Sequence, residues 1–229
     1  MKFDIVEKGA IIQRDRKTYA ITPHLPAGLA TPEQLEQIAG VARRFGARLK
    51  LNSAQRIAII GLAEEDLDAA WAALAGMRRA RPFGPCVRSV KICPGTDFCK
   101  RGQRDSVVLG LQLDERYQGM ELPWKLKMSV SGCQNDCAEA CVKDIGLLGT
   151  PKGWHLQIGG NGGASPRLSR RLLEHIPTEA EALAAVVRLV EWFIAQNRKC
   201  RLGKLIDEVG LDEVRRVALG ETSGSSPAC

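Results

Sequence analysis

Leu126-Lys127-Met128-Ser129-Val130-Ser131-Gly132-Cys133-Gln134-Asn135-Asp136-Cys137 decides how this chain is read. Leu126 to Val130 reads as a strand, and Ser131-Gly132 turns it into a cysteine pair. On a helical turn, the spacing of Cys133 and Cys137 puts both sulfurs on one face. The Ser131-Gly132 turn exposes backbone N–H groups, which stabilise thiolates. A second pair lies upstream in Cys93-Pro94-Gly95-Thr96-Asp97-Phe98-Cys99, where Gly95 allows a tight loop. The pairs stand about a strand and a helix apart, so folding can gather four thiolates around one inorganic centre.

Four thiolates are what a cubane iron–sulfur cluster requires. Structural zinc takes the same sulfurs, but its ligand pairs usually stand about two to four residues apart, closer than Cys93 and Cys99. Unligated core thiols are a third reading. Spacing leaves all three open. Cys141 continues the every-fourth spacing and competes as a ligand, whereas Cys86, Cys200 and Cys229 read as ordinary thiols. Arg88, Lys91, Lys100, Arg101, Lys125 and Lys127 flank the pairs. Ligands set in a cationic surface point to electrons delivered to an anion.

The 229 residues allow one large domain or two small ones, and 45% hydrophobic residues suffice for a core. A net charge of +7 attracts anions in general. No apolar run spans a bilayer, and residues 1–20 carry charges where a signal peptide needs an apolar stretch. The expectation is a soluble cytoplasmic protein with no membrane partner. Eight cysteines in a reducing compartment are metal ligands or free thiols rather than disulfides.

Thr18 to Thr22 alternates as a strand. Thr31 caps a helix, with Pro32 in its first turn and Gln34 closing a capping box. Leu35, Ile38, Ala39 and Ala42 give this helix its apolar face, and Gly46 stops it. Arg48 to Leu51 and Ile57 to Ile60 are strands joined through Asn52-Ser53, and a helix with Leu67, Trp71 and Leu74 follows. This β-α-β-β-α order is most of a ferredoxin-like sandwich. The Arg/Pro/Gly-rich stretch from Arg78 to Pro85 marks a boundary. Beyond it, Arg104 to Tyr117 is helical through Val107, Val108 and Leu111. Ile145 to Leu148 and Trp154 to Ile158 are strands, and Gly159 to Gly163 is a loop built for close backbone approach. Thr178 and Glu181 box the start of a helix reaching about Asn197, with Leu183, Val186, Val187, Val190, Phe193 and Ile194 on one face. A shorter helix from Lys204 follows, and Glu221 to Cys229 is expected to be disordered. The domains are therefore 1–80, 81–200 and a C-terminal helix and tail over 201–229.

The cysteine order, with Leu122-Pro123-Trp124-Lys125-Leu126-Lys127 just before Ser131-Gly132-Cys133, resembles the sirohaem-dependent sulfite and nitrite reductase family. Val87-Arg88-Ser89-Val90-Lys91, Gln103-Arg104-Asp105-Ser106-Val107, Cys137-Ala138-Glu139-Ala140, Lys143-Asp144-Ile145-Gly146 and Gly153-Trp154 through Gly163 resemble the sirohaem module of assimilatory nitrite reductases. His24-Leu25-Pro26-Ala27-Gly28 and Asn52-Ser53-Ala54-Gln55-Arg56 resemble the family's ferredoxin-like half-domain. The combination is far more specific than any one motif.

The resemblance implies an α+β fold, a ferredoxin-like half-domain followed by an α/β module holding sirohaem and a [4Fe-4S] cluster. Its cluster ligands map onto Cys93, Cys99, Cys133 and Cys137, and Cys137 is the one that also bridges to the sirohaem iron. Its substrate-binding cations map onto Arg88, Lys125 and Lys127. Gln55 and Arg56 fall beside the family's arginine–glutamine motif, here in the order Gln55-Arg56, and are assigned to cofactor, with Arg56 also among the catalytic cations. An arginine that the family places before its Leu-Pro-x-Gly turn is absent; His24, Arg14 and Arg16 are the neighbours here. Asn161 and Gly162 are read as backbone lying against the macrocycle or cluster. The implied reaction is six-electron reduction of sulfite to sulfide, with nitrite reduction to ammonia, or a non-catalytic electron-transfer role, as alternatives.

Sirohaem carries many carboxylates, so its pocket needs Arg, Lys and backbone N–H groups, which fits the surplus of positive charge. The strand–helix glycine fingerprint of NAD or FAD binding is lacking, so electrons are expected from a ferredoxin-like protein. Larger family members carry two copies of this unit; one is seen here, and the resemblance leaves two alternatives, a homodimer that restores the pair or one unit that holds the cofactor alone. A zinc-stabilised nucleic-acid-binding module competes, but 5% aromatic residues without a basic–aromatic face count against nucleic acid as a partner. His155 and His175 lack metal-ligand spacing and read as structural.

Overall fold

The computed structural model describes residues 2–221, which divide into two compact units, 2–83 and 84–221. The expected disordered end lies, from residue 222, outside the described residues.

The first unit is a four-stranded antiparallel sheet with two helices. Its strands are β1 (Ile11–Ile12), β2 (Tyr19–Ile21), β3 (Arg48–Asn52) and β4 (Arg56–Leu62), in the order β1-β2-β4-β3. Thr31 Oγ1 accepts from the Gln34 amide and the Gln34 side chain returns to the Thr31 amide, so α1 (Pro32–Arg44) starts with the expected capping box. Its buried face is Ile38, Val41 and Ala42, whereas Leu35 is 45% exposed, a correction to the expected stripe. Leu67, Trp71 and Leu74, on and just after α2 (Leu67–Ala73), join Tyr19, Ile21, Ile59 and Leu62 in the core.

The second unit holds a five-stranded sheet: β5 (Lys91–Ile92), β6 (Met128–Ser131), β7 (Ile145–Thr150), β8 (Gly153–Ile158) and β9 (Arg170–Ile176). β5, β6 and β7 run parallel, β8 pairs antiparallel with β7, and β9 pairs antiparallel with β8. Between β5 and β6 lie the short α3 (Gly95–Phe98) and α4 (Ser106–Tyr117). After β9 come α5 (Glu179–Gln196), α6 (Leu202–Val209) and α7 (Leu211–Leu219).

Asp105 caps α4 by accepting from the Val108 amide, and the helix buries Val107, Leu109, Leu113 and Tyr117. Val108, expected on that face, is 46% exposed. The Thr178–Glu181 capping box forms as expected, and α5 buries Ala182, Ala185, Val186, Leu189, Val190 and Phe193, leaving Ile194 exposed. Ile92, Val130, Leu147 and Leu156 pair in one row across the sheet. That row faces the helices: a Cβ on Gly110 of α4 would lie 2.6 Å from Ile92. The opposite face carries Ser129, Ser131, Gly146 and His155, and the cysteine loop after β6 lies over it: a Cβ on Gly146 would touch Ala140.

Candidate metal centre and anion site

The cysteine pairs leave the sheet at one edge. Cys93 follows β5 and Cys133 follows β6, and the parallel pairing of Ile92 with Val130 brings the two strand ends side by side. Carboxyl ends of parallel strands are where open α/β sheets bind ligands. The Cys93 amide donates to Val130 O at 3.0 Å, and the Gly132 amide donates to Cys93 Sγ at 3.0 Å. Ser106 Oγ, at the start of α4, stands 3.2 Å from the same sulfur and donates to the Cys93 carbonyl at 3.0 Å. Gln103 and Arg104 both donate backbone N–H groups to Gly132 O. Only glycine fits at 132, since a Cβ there would lie 2.6 Å from Arg104 O.

Cys133 to Cys137 is not a helical turn, contrary to the expectation. It is a run of turns in which Asp136 (φ 50°) and Glu139 (φ 62°) adopt left-handed backbone. The Asp136 carboxylate accepts from Ala140 N at 2.7 Å, Cys141 N at 2.9 Å and Ser131 Oγ at 2.8 Å. This clamp presents Cys137 exposed and Cys133 half-buried. Burial, then the neighbouring Asp136, pushes the Cys141 thiol up, which disfavours its thiolate. Glu139 bridges Lys91 and Lys143 at 2.8 and 2.9 Å, and these lysines hold its carboxyl down at about 2.

The three expected substrate cations share one ladder. Val87 pairs parallel with Leu126, the Arg88 amide donates to Leu126 O at 2.9 Å and the Leu126 amide donates to Cys86 O at 3.1 Å. Val87 and Leu126 are fully buried, so Arg88, Lys125 and Lys127 project from the opposite side of this ladder. The Arg88 guanidinium donates to Gly84 O at 3.0 Å. Lys125 borders a cavity of about 330 Å³ with Pro85, Pro123, Trp124 and Lys199. A second, cationic hollow of about 470 Å³ lies against Cys133, lined by Lys100, Arg101, Gln103 and Gln134 among others.

In the first unit, Gln55 has left-handed backbone (φ 57°) in the turn between β3 and β4, and Arg56 is buried at the start of β4. A Cβ on Gly28 would lie 2.9 Å from the Gln55 Cβ, so the His24–Gly28 and Asn52–Arg56 motifs adjoin. In the second unit, Asn161 and Arg167 exchange backbone hydrogen bonds at 2.8 Å, closing the β8–β9 connection. The close approach in this glycine run belongs to Gly160, whose Cβ would meet Lys143 O at 2.6 Å; Gly162 is exposed.

The donors suit a thiolate-bound cluster. A backbone N–H aimed at Cys93 Sγ stabilises negative sulfur, and hydrogen bonds to ligand sulfurs tune a cluster's potential. Among the described residues no three His, Cys, Asp or Glu side chains stand together as a ligand group, so the structure brings the strand ends that carry Cys93 and Cys133 side by side but does not itself gather the four sulfurs around one centre. Sequence reasoning missed Ser106, Asp136 and the Asp144–Arg201 pair. Asp136 carried a signal, since Asp tolerates the left-handed backbone that the turn requires. Asp144 lay in the quoted Lys143–Gly146 motif, but its pairing with Arg201, 57 residues away, carried no signal.

The family described as nitrite and sulphite reductase 4Fe-4S domain matches residues 83–225, and the nitrite/sulfite reductase ferredoxin-like half domain matches residues 11–77. The chain is 37% identical to the assimilatory-type sulfite reductase of Nitratidesulfovibrio vulgaris over 93% of its own length and 98% of that protein's. It is 40% identical to the nitrite reductase (NADH) large subunit of Escherichia coli over 94% of its own length, but spans only 26% of that protein. The solved structure of the Mycobacterium tuberculosis NirA protein shares the fold with a TM-score of 0.78 at 20% identity, over 89% of this chain and 40% of that one. The chain belongs to the nitrite and sulphite reductase family, oxidoreductases with a [4Fe-4S] cluster and sirohaem.

Proposed function

We propose that this chain reduces sulfite to sulfide, with Cys93, Cys99, Cys133 and Cys137 holding the cluster and Cys137 shared with the sirohaem iron. The observation that carries this reading is the Val87–Leu126 ladder, which sets Arg88, Lys125 and Lys127 on one side of the segment entering β6, the strand that Cys133 follows. Bound there, the coupled centre supplies the electrons. The protein's own part is electrostatic and protonic. Arg88 offers a planar guanidinium to a small oxyanion, and Lys125 and Lys127 offer ammonium donors. Sulfite takes up six electrons and seven protons to give hydrosulfide and three waters, so cations that also donate protons serve both binding and cleavage. Gln55, Arg56, Asn161 and Gly162 are proposed to hold the macrocycle's periphery, Arg56 also serving as a cation at the substrate.

Sulfite comes first because the match to the sulfite reductase relative takes in 93% of this chain and 98% of that protein. Nitrite is the second reading, supported by 40% identity to a module of a nitrite reductase. Electrons are proposed to come from a ferredoxin-like protein, and a homodimer to supply the second copy of the unit. No helix among the described residues is long and apolar enough to cross a membrane; a cytoplasmic site of action is part of the proposal. Anaerobically purified holoprotein, supplied with reduced viologen, should consume sulfite with higher kcat/KM than nitrite. The reverse order would favour the nitrite reading, and a coloured protein inert to both would leave only electron transfer.

A further inference from the structure

Asp144 is fully buried just before β7, and nothing in the proposed chemistry uses it. Its Oδ2 accepts two hydrogen bonds, from the Lys127 amide at 2.8 Å and from Arg201 Nη2 at 2.9 Å. Its Oδ1 is buried without a hydrogen-bond partner among the described residues. Lys127 is pinned a second time, because its carbonyl accepts from the Ile145 amide at 3.2 Å.

Arg201 reaches Asp144 through a closed circuit of contacts. The Asp144 carbonyl accepts from the Gly159 amide at 2.8 Å. The Gly159 carbonyl lies against the start of α6, where a Cβ on Gly203 would come within 2.5 Å of it. Arg201 is the residue that enters α6, and its side chain, 19% exposed, returns to the Asp144 carboxylate. The glycine loop after β8 therefore fixes where the arginine stands.

The couple faces a crowd of cations. Lys127 is exposed as a residue, but its ammonium is partly withdrawn from water. That withdrawal, then Arg201, Lys143 and Lys125, holds its proton more loosely than an ordinary lysine does. Asp144 acts the other way and steadies that proton. An arginine without this carboxylate would stand as an uncompensated charge beside Lys127, and a carboxylate without the arginine would be a buried charge lacking its ion-pair partner.

We propose that Asp144 and Arg201 form a positioning couple that sets both the placement and the charge state of the Lys127 ammonium. The proposal rests on the reading of Lys127 as an anion-binding residue, but its first test does not. Asp144 fixes the backbone of Lys127 by one hydrogen bond, and the pair's opposed charges balance the field at its side chain. Lys127 thereby remains a cation able to hold an oxyanion and give up a proton.

The experiment is competitive labelling of the holoprotein by acetic anhydride across a pH series, with the extent of acetylation at Lys127 read by mass spectrometry. Asp144→Asn should move the titration of Lys127 to lower pH, and Arg201→Met should move it to higher pH. Opposite shifts are not produced by general loosening of the fold, and either variant alone suffices should the other fail to fold. An unmoved Lys127 titration in a folded variant, or shifts of the same sign in both, overturns the couple. The alkaline limb of sulfite reduction should follow the same two directions. If labelling shifts as stated while that limb stays fixed, the couple stands and the assignment of Lys127 to the anion fails.

Discussion

The amide of Gly132 points at the sulfur of Cys93, 3.0 Å away and 39 residues apart in sequence. The contact joins the turn of one cysteine pair to the first ligand of the other. Gly132→Ala should break it, because the added methyl would meet Arg104 O at 2.6 Å. Overpacking of this kind costs about 1–3 kcal/mol. The expected outcome is a lowered melting temperature together with loss of iron and sulfide. A variant with wild-type cluster content would show that the contact is dispensable.

Asp136→Ala removes the acceptor of three hydrogen bonds, from Ser131, Ala140 and Cys141. Two backbone amides then lose their partner, at a cost on the order of 3 kcal/mol. Urea unfolding should show a lower midpoint at unchanged slope, and cluster assembly should slow. Asp136→Asn, which keeps one acceptor oxygen, should fall between the two.

Arg88→Ala, Lys125→Ala and Lys127→Ala should each keep colour and lose anion affinity. One charge-assisted hydrogen bond is worth about 1.5–3 kcal/mol, or roughly ten- to a hundredfold in kcat/KM. Steady-state kinetics with sulfite and nitrite checks this. Wild-type kinetics in all three variants would remove the ladder from the site.

Stability should depend on pH in opposite directions through two acids. Burial raises Asp144 from its ordinary 3.8 to about 6, against the pull of Arg201. The folded chain then binds more protons than the unfolded one between about pH 4 and 6, so stability falls as pH rises through that window, by on the order of 3 kcal/mol. Glu139, held at about 2 by Lys91 and Lys143, stabilises above its ordinary range, and that contribution is lost as pH falls. Its side chain is 52% exposed, so screening leaves about 1 kcal/mol or less. Urea unfolding at a series of pH values should show a flattened slope between pH 4 and 6 in Asp144→Asn. An unchanged slope would place the burial cost elsewhere.

What the sequence disclosed follows from how local each signal is. The Thr31–Gln34 and Thr178–Glu181 boxes close within one turn, and both formed as expected. β9 escaped notice because Arg170–Ile176 lacks clean alternation, its pairing with β8 broken by register shifts. β5 has only two residues. Val108 and Leu35 were placed on buried faces by spacing alone, but the buried faces run through Ile38, Val41 and Ala42 in α1 and through Val107, Leu109, Leu113 and Tyr117 in α4. The cysteines themselves were legible, while the shape of their loop was not. Left-handed backbone at Asp136 and Glu139 replaces the helical turn that an every-fourth spacing suggests. Arg88 and Lys125 become neighbours only through the pairing of Val87 with Leu126.

The most direct measurement is elemental analysis of anaerobically reconstituted holoprotein: iron, acid-labile sulfide and extracted tetrapyrrole, each per chain. Four thiolates around a cube, one of them shared with a macrocycle, predict about five irons, four sulfides and one pigment molecule per chain. Iron without sulfide, or a colourless protein holding zinc, would contradict the account at its root.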